Sequence, residues 1–230
     1  MNRLRKLQEL SIHEYSNRYL VEPPERHELV INKIHDVIEM YKPNVVVKAG
    51  LGAGRIILDI LSWKKDIVLV VVEPSLKVIE QFISDNSENP MVKELRFING
   101  DFNKFPVDYY AADLVISVDN LDYQETAPVI DEFRRALQFD AYLLFAGVVL
   151  DDEDLEGVFD DYMRMLSPMH NDYYLKDDLK TFLNLKDFAF IKGKYEEFQY
   201  NLDDLEKYLE DYYGAPSGDT KAFIEENRNA

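Results

Sequence analysis

The chain has 230 residues, of which 47% are hydrophobic, and its formal net charge at pH 7 is −18. This composition predicts a packed globular protein with one sizeable core. Because nucleic-acid binding depends on a basic surface that displaces counterions, the negative charge argues against a nucleic-acid partner. The chain has no cysteine, which excludes disulfides, thiolate metal sites and a cysteine nucleophile. No two of its four histidines share a metal-ligand spacing, so we expect no metal site.

The N-terminal residues and the longest apolar runs of the sequence bear on where the protein is located in the cell. The first residues, MNRLRKLQELSIHEY, lack the continuous apolar stretch and the cleavage site of a secretory signal. The longest apolar runs, such as IVLVVV, are too short to cross a bilayer. We therefore expect a cytoplasmic protein with no membrane partner.

The first 150 residues alternate between helical and strand-like patterns. Apolar residues at helical spacing predict a helix over residues 25–41, which Pro43 closes. Five apolar runs then read as buried strands: NVVVKAG, DIVLVVVEP, ELRFING, ADLVISVD and AYLLFAGVV. Amphipathic helices follow the first two runs and separate the last two. This alternation predicts a doubly wound α/β fold, with a mostly parallel sheet and helices on both faces.

After Leu150 the pattern changes. Two helical stripes are followed by FAFIKGKYEEFQY, which reads as two short strands around a glycine turn and brings the predicted sheet to seven strands. The leucine spacing in NLDDLEKYLEDYY favours one more helix. We divide the chain into an N-terminal helical extension (1–42), an α/β domain (43–213) and a polar tail (214–230).

The glycine-rich turn after the first strand is the most informative motif. Residues 45–60, VVVKAGLGAGRIILDI, read as a buried strand, a turn and the start of a helix. Glycines at 50, 52 and 54 would let the backbone approach a ligand at the carboxyl end of the strand. A dinucleotide fingerprint needs its third glycine at position 55, where Arg55 stands, and no Gly-Lys-Ser/Thr follows for a P-loop. A nicotinamide-dependent oxidoreductase is therefore disfavoured, and a tight turn without a ligand stays open.

Four motifs in order over residues 40–150 resemble the class I S-adenosylmethionine-dependent methyltransferases, and the resemblance implies a Rossmann-like fold. Their first motif, an apolar strand, an acid and G-x-G-x-G, is matched by VVKAGLGAG. The resemblance implies S-adenosylmethionine as cofactor. It also implies that a carboxylate after the second strand accepts hydrogen bonds from the ribose diol, and that an acid after the third lies near the adenine. The implied cofactor-binding residues are Lys48, Gly50, Gly52, Gly54, Glu73, Pro74, Asp101, Phe102 (packing on the base) and Asp119.

Lys48 departs from the family pattern, because it stands where the family has an acid that helps to hold the ammonium of the cofactor's methionine portion. A cation at this position would repel that ammonium and the sulfonium. We expect the lysine to bury its stem and to pair with Asp119 at the end of the fourth strand. Weak cofactor binding and loss of function remain open alternatives.

Three further residues are candidates for substrate contacts. Asn120 and Tyr123 keep the Asn-x-x-Tyr spacing of amino-group methyltransferases, but both prolines of that motif are missing, so coincidence is the simpler interpretation. His170 follows the fifth strand, where a histidine with an ordinary pKa could act as a general base at neutral pH. The alternative for His170 is an exposed loop residue.

The resemblance implies methyl transfer to a small molecule or a protein side chain. Because the sulfonium is already activated, positioning and the exclusion of water can suffice, and no catalytic residue is singled out. The alternative is a catalytically degenerate module that keeps the fold and binds the cofactor or regulates a partner. Lys48 favours this alternative, as does Phe139-Asp140-Ala141 in place of the family's Pro-Gly-Gly turn.

Overall fold

The structure is a computed structural model that describes residues 3–17, 22–63, 66–150, 157–166, 169–198 and 201–213, together with positions 218, 222, 225 and 226. Two helices come first, α1 (Arg3–Asn17) and α2 (Pro24–Tyr41). None of the described helices combines the length and the apolar character needed to cross a bilayer.

Five parallel strands form the sheet in the order β3-β2-β1-β4-β5. Their bounds are β1 (Val45–Ala49), β2 (Val68–Glu73), β3 (Arg96–Asn99), β4 (Ala112–Val118) and β5 (Leu137–Ala146). The chain runs outward from β1 to β3 and then returns to place β4 on the other side of β1. The carboxyl ends of β1 and β4 therefore flank the switch point at which such sheets bind ligands.

Helices cover both faces of the sheet because successive side chains of each buried strand point to opposite faces. The remaining helices are α3 (Arg55–Trp63), α4 (Leu76–Asp85), α5 (Thr126–Ala136), α6 (Val158–Leu166), α7 (Lys176–Leu185) and α8 (Leu202–Tyr213). Val46 belongs to a core that includes residues of α2, α3 and α4. Its neighbour Val47 belongs to a second core with residues of α5. The predicted α/β architecture with a parallel sheet is confirmed.

The predicted count of seven strands is not confirmed, since the described residues form a sheet of five. Residues 188–198 contain no strand, and Phe190, Ile191 and Tyr195 are exposed there. Apolar and charged residues are mixed in this segment without a regular alternation, so its pattern does not fix a pairing register. The strand β5 begins at Leu137, directly after α5 and before the apolar run that predicted it. The predicted tail lies almost entirely outside the described residues.

A serine cap starts α4 directly after the carboxyl end of β2. The hydroxyl of Ser75 accepts a hydrogen bond from the backbone N–H of Val78. Ser75→Ala is expected to lower the free energy of unfolding by about 1 kcal/mol, since the helix loses a partner for one N–H group. Urea unfolding measures this change. The matched control is Ser62→Ala, whose exposed hydroxyl donates to the carbonyl of Asp59; equal effects of the two substitutions would contradict the capping role.

Candidate cofactor site

The turn after β1 has the left-handed backbone that its glycines allow. Gly50 has a φ of 72°, and its N–H donates to the carbonyl of Val72 at 2.8 Å. A Cβ atom at Gly50 would lie 2.7 Å from Oδ1 of Asn120, and one at Gly54 would lie 2.7 Å from the ring of Phe82. Gly52 faces open space. The first and last glycines are thus required by close packing, and Gly52 leaves the turn open to a ligand.

Glu73, at the end of β2, holds the glycine turn in place. Its carboxylate accepts hydrogen bonds from the backbone N–H groups of Leu51 and Ser75, each at 2.9 Å. It also makes a side-chain hydrogen bond with Ser11 of α1. Burial raises the pKa of Glu73, and these hydrogen bonds and the charge of Lys48 oppose the rise. The predicted ribose-binding carboxylate therefore lies beside the turn with most of its acceptor capacity in use.

Three further residues predicted to bind the cofactor have different environments. Asp101 caps the short turn Phe102–Lys104 by accepting from the N–H of Asn103, and it forms an ion pair with Arg3 at 3.0 Å. Phe102 is 3% exposed and packs in the core with α5, so its ring is not presented to a base. Pro74 is buried, and its carbonyl accepts from the side chains of Gln8 and Asn99.

Lys48 does not form the predicted ion pair with Asp119. Its side chain is buried, and Nζ donates to the carbonyls of Ala49 at 2.6 Å and Gly50 at 3.0 Å. Burial lowers the pKa of Lys48 to about 8, although the nearby charges of Asp119 and Glu73 oppose the fall. These backbone acceptors lie one and two residues along the chain, so the ammonium is satisfied locally and needs no carboxylate partner.

Asp119 is instead held by an arginine that the sequence analysis did not single out. Arg26, in the first turn of α2, forms ion pairs with Asp119 at 2.6 Å and with Glu22 at 2.9 Å. All three side chains are nearly inaccessible to solvent. Because 93 positions separate Arg26 from Asp119, only the packing of α2 against the sheet brings them together. Nothing in the sequence around Arg26 distinguishes it from a surface arginine.

Of the substrate candidates, Asn120 lies next to the glycine turn. Nδ2 of Asn120 donates to the carbonyl of Ala49 at 2.9 Å. Tyr123 ends the short turn Leu121–Tyr123, and it lines a cavity of about 2150 Å³ that runs along β5. The lining of this cavity does not include Gly50 or Glu73.

The side chain of His170 is inaccessible to solvent, so His170 is not the exposed loop residue that was the alternative. Its Nε2 lies 2.8 Å from Oδ1 of Asp160, its ring packs 4.3 Å from that of Tyr173, and Nδ1 has no hydrogen-bond partner among the described residues. Burial lowers the pKa of His170, and the hydrogen bond to Asp160 opposes this. The next residue, Asn171, donates its N–H to the carbonyl of Asp122 at 2.6 Å, which ties this loop to the segment after β4.

The helix α1 contacts three of the predicted cofactor-binding residues. Arg3 binds Asp101, Gln8 binds the carbonyl of Pro74, and Ser11 binds Glu73. No local pattern in the sequence predicts these contacts. The polar residues of MNRLRKLQELSIHEY are the signal that could have indicated such contacts. They do not identify the partners, because the partners depend on how the helix docks.

The described residues fit one half of S-adenosylmethionine better than the other. Glu73 and Asp101 place carboxylates at the ends of neighbouring strands, where hydroxyl and amino donors of a nucleoside could be bound. At the other half, the ammonium of Lys48 already occupies the carbonyls of Ala49 and Gly50. The nucleoside half thus fits the carboxylate acceptors, and the methionine half would meet a buried cation.

Comparisons with known proteins agree with this geometry. Residues 47–145 match the family model described as "Methyltransferase domain". The dimethyladenosine transferase of Saccharomyces cerevisiae is 29% identical over 105 residues, which are 46% of this chain and 31% of that protein. The chain thus spans about a third of the length of the curated relative it matches.

Solved structures share the fold at low sequence identity. YcgJ from Bacillus subtilis has a TM-score of 0.71 at 17% identity, with 89% of this chain and 85% of that chain covered. A structure described as PigF with SAH has a TM-score of 0.55 at 14% identity, with 66% and 48% covered. The strand order, the glycine turn and the family match indicate S-adenosylmethionine as the cofactor. Residues 47–145 thus match a methyltransferase domain, and the chain is similar in fold to the class I, S-adenosylmethionine-dependent methyltransferases.

Proposed function

We propose that the chain transfers a methyl group from S-adenosylmethionine to a small molecule or a protein side chain. One observation carries the proposal: the turn at Gly50 and the carboxylates of Glu73 and Asp101 follow β1, β2 and β3, three neighbouring strands of one parallel sheet. The family match over residues 47–145 supports it.

The residues of the chain would bind and orient the cofactor and the methyl acceptor rather than perform acid-base chemistry. The cofactor supplies an activated methyl group on a sulfonium. Glu73 and Asp101 would accept hydrogen bonds from the nucleoside, and Gly52 would let the backbone approach it. Asn120 and Tyr123 would contact the methyl acceptor, since Asn120 is bonded to the carbonyl of Ala49. Close positioning in a water-poor site is enough to accelerate such a displacement.

The net charge of the chain favours a small molecule or a protein side chain as the methyl acceptor. The net charge of −18 opposes the approach of a nucleic acid. The S. cerevisiae relative is named a dimethyladenosine transferase, but a nucleic-acid acceptor would need a basic surface that this composition does not supply. We also propose a cytoplasmic location and the division into an N-terminal helical extension (1–42), a methyltransferase-like α/β domain (43–213) and a polar tail (214–230).

A second candidate function is a degenerate module that keeps the fold and binds an adenosyl ligand without turnover. The observation that favours it is the ammonium of Lys48 on the carbonyls of Ala49 and Gly50. In that case the chain would bind the product S-adenosylhomocysteine, which lacks the sulfonium charge, and bind S-adenosylmethionine poorly. A titration with both ligands separates the two functions.

The test of the nucleoside site is Glu73→Gln. Glutamine keeps the size of the side chain but loses the charge and one acceptor oxygen, so the bonds to Leu51, Ser75 and a ribose can no longer all be made. We expect the affinity for S-adenosylhomocysteine, measured by calorimetry, to fall about tenfold.

The matched control is Glu80→Gln, which removes an exposed carboxylate of α4 and is expected to leave the affinity unchanged. Circular dichroism verifies that both variants fold. An unchanged affinity in folded Glu73→Gln would remove Glu73 from the site, and absence of binding by the wild-type chain would refute the proposed function.

A further inference from the structure

The helix α1 presents one face to the carboxyl ends of β2 and β3. Leu7 and Leu10 are buried on this face, and Arg3, Gln8 and Ser11 lie close to them around the helix. Farther along, Tyr15 donates its hydroxyl to Asp85 at 2.8 Å, and its ring lies 3.5 Å from the position of a Cβ atom at Gly54. The helix thus extends from the adenine-side acid to the end of the glycine turn.

The polar side chains of this face are donors, and they bind the acceptors that a nucleoside would need. The guanidinium of Arg3 binds both carboxylate oxygens of Asp101, at 3.0 and 3.2 Å. The amide of Gln8 donates to the carbonyl of Pro74 at 3.1 Å, and Ser11 is hydrogen-bonded to Glu73. The hydroxyl and amino groups of adenosine are also donors, so the ligand and the helix compete for the same oxygen atoms.

From these contacts we propose that α1 is a displaceable plug of the nucleoside site, and that it must move before an adenosyl ligand can bind. This inference rests on the proposed function, because it concerns the regulation of the same site. The affinity of the chain for its cofactor is then set partly by the free energy of opening α1, since a ligand binds only the open fraction.

The helix α1 depends on its contacts with the rest of the protein more than on its intrinsic helical stability. Its first turn contains Arg3, Arg5 and Lys6 and no acidic residue, although the positive end of the helix dipole favours acids there. Beyond the plug contacts, it is held by Tyr15 on Asp85 and by Tyr208 of α8, whose hydroxyl donates to Glu14 at 2.5 Å. Each partly exposed polar contact of this kind contributes little to docking by itself. Because the helix depends on several of them together, the loss of two should shift it toward the open state.

The test is the double variant Arg3→Ala/Gln8→Ala in the full chain, titrated with S-adenosylhomocysteine. We expect it to bind about tenfold more tightly than the wild type, because the closed state loses the contacts that compete with the ligand. The matched control is Arg5→Ala/Glu9→Ala, which removes an ion pair formed within the helix, with Arg5 71% exposed. Both variants add two alanines to α1, so helix propensity changes similarly; the control should bind like the wild type.

Hydrogen exchange of the amides of residues 3–17 is the second readout. Addition of S-adenosylhomocysteine to the wild type should accelerate exchange in α1 while slowing it in the glycine turn. If the wild type binds the ligand and α1 becomes better protected, or if Arg3→Ala/Gln8→Ala binds equally or more weakly, α1 is a wall of the site and the plug is refuted while the proposed function stands. If neither protein binds, both proposals fail, because opening the site would then have exposed nothing that holds a nucleoside.

Discussion

Lys48→Met is expected to raise the affinity for S-adenosylmethionine about 100-fold and that for S-adenosylhomocysteine about tenfold. Two unit charges roughly 6 Å apart repel by about 1.4 kcal/mol at an effective dielectric constant of about 40, which corresponds to the tenfold difference between the two ligands. The substitution also frees the carbonyls of Ala49 and Gly50 for the ammonium of the ligand. Both ligands gain from those carbonyls, and only S-adenosylmethionine also loses repulsion of its sulfonium.

Calorimetric titration of both ligands measures this prediction. Lys77→Met, the same substitution at an exposed position of α4, should leave both affinities unchanged. Methionine is preferred to glutamate because Lys48→Glu would place another carboxylate near Glu73 and Asp119. A folded Lys48→Met protein with the wild-type preference between the two ligands would show that Lys48 does not limit cofactor binding.

The same lysine should make the protein more stable at alkaline pH. The pKa of Lys48 is about 8 in the folded chain and 10.5 in its ordinary environment. Below pH 8 both states carry the proton, and between the two values only the unfolded state carries it. Because the unfolded state then binds more protons, its contribution raises the free energy of unfolding with pH, by about 3 kcal/mol in total.

Urea unfolding of the wild type and Lys48→Met between about pH 7 and about pH 10.5 tests this contribution. The difference between the two proteins should grow in favour of the wild type as the pH rises. Burial raises the pKa of Tyr15, so this residue lowers stability at still higher pH, but it does so in both proteins and cancels in the difference. A difference that does not change with pH would mean that Lys48 keeps an ordinary pKa.

Local sequence patterns predicted most of the sheet, because a strand buried on both faces must be apolar at nearly every position. The runs that became β1, β2 and β4 are of this kind, whereas the edge strand β3 has only Phe97 and Ile98 as apolar residues; the predicted strands lie at all four positions. The start of β5 was missed because Leu137 follows α5 with no turn residue between them. The two strands expected near 187–200 rested on two short segments around a glycine turn, and in the described residues up to 198 these segments are not paired.

The candidate site was predictable where it depends on strand ends and not where it depends on docked helices. The positions of Glu73 and Asp101 follow from the ends of β2 and β3. The partner of Asp119 does not, because Arg26 reaches it through the packing of α2, and the ion pair proposed for Lys48 failed for the same reason. The contact of Arg3 with Asp101 spans 98 positions, and no local pattern encodes it.

The most direct test of the account is a crystal structure of the chain with S-adenosylhomocysteine. We expect the ribose at the carboxylate of Glu73, the adenine beside Asp101, and α1 displaced from both. A ligand bound elsewhere, for instance in the cavity along β5 with Glu73 still bonded to Ser11, would contradict the assignment of the nucleoside site to the carboxyl ends of β1, β2 and β3.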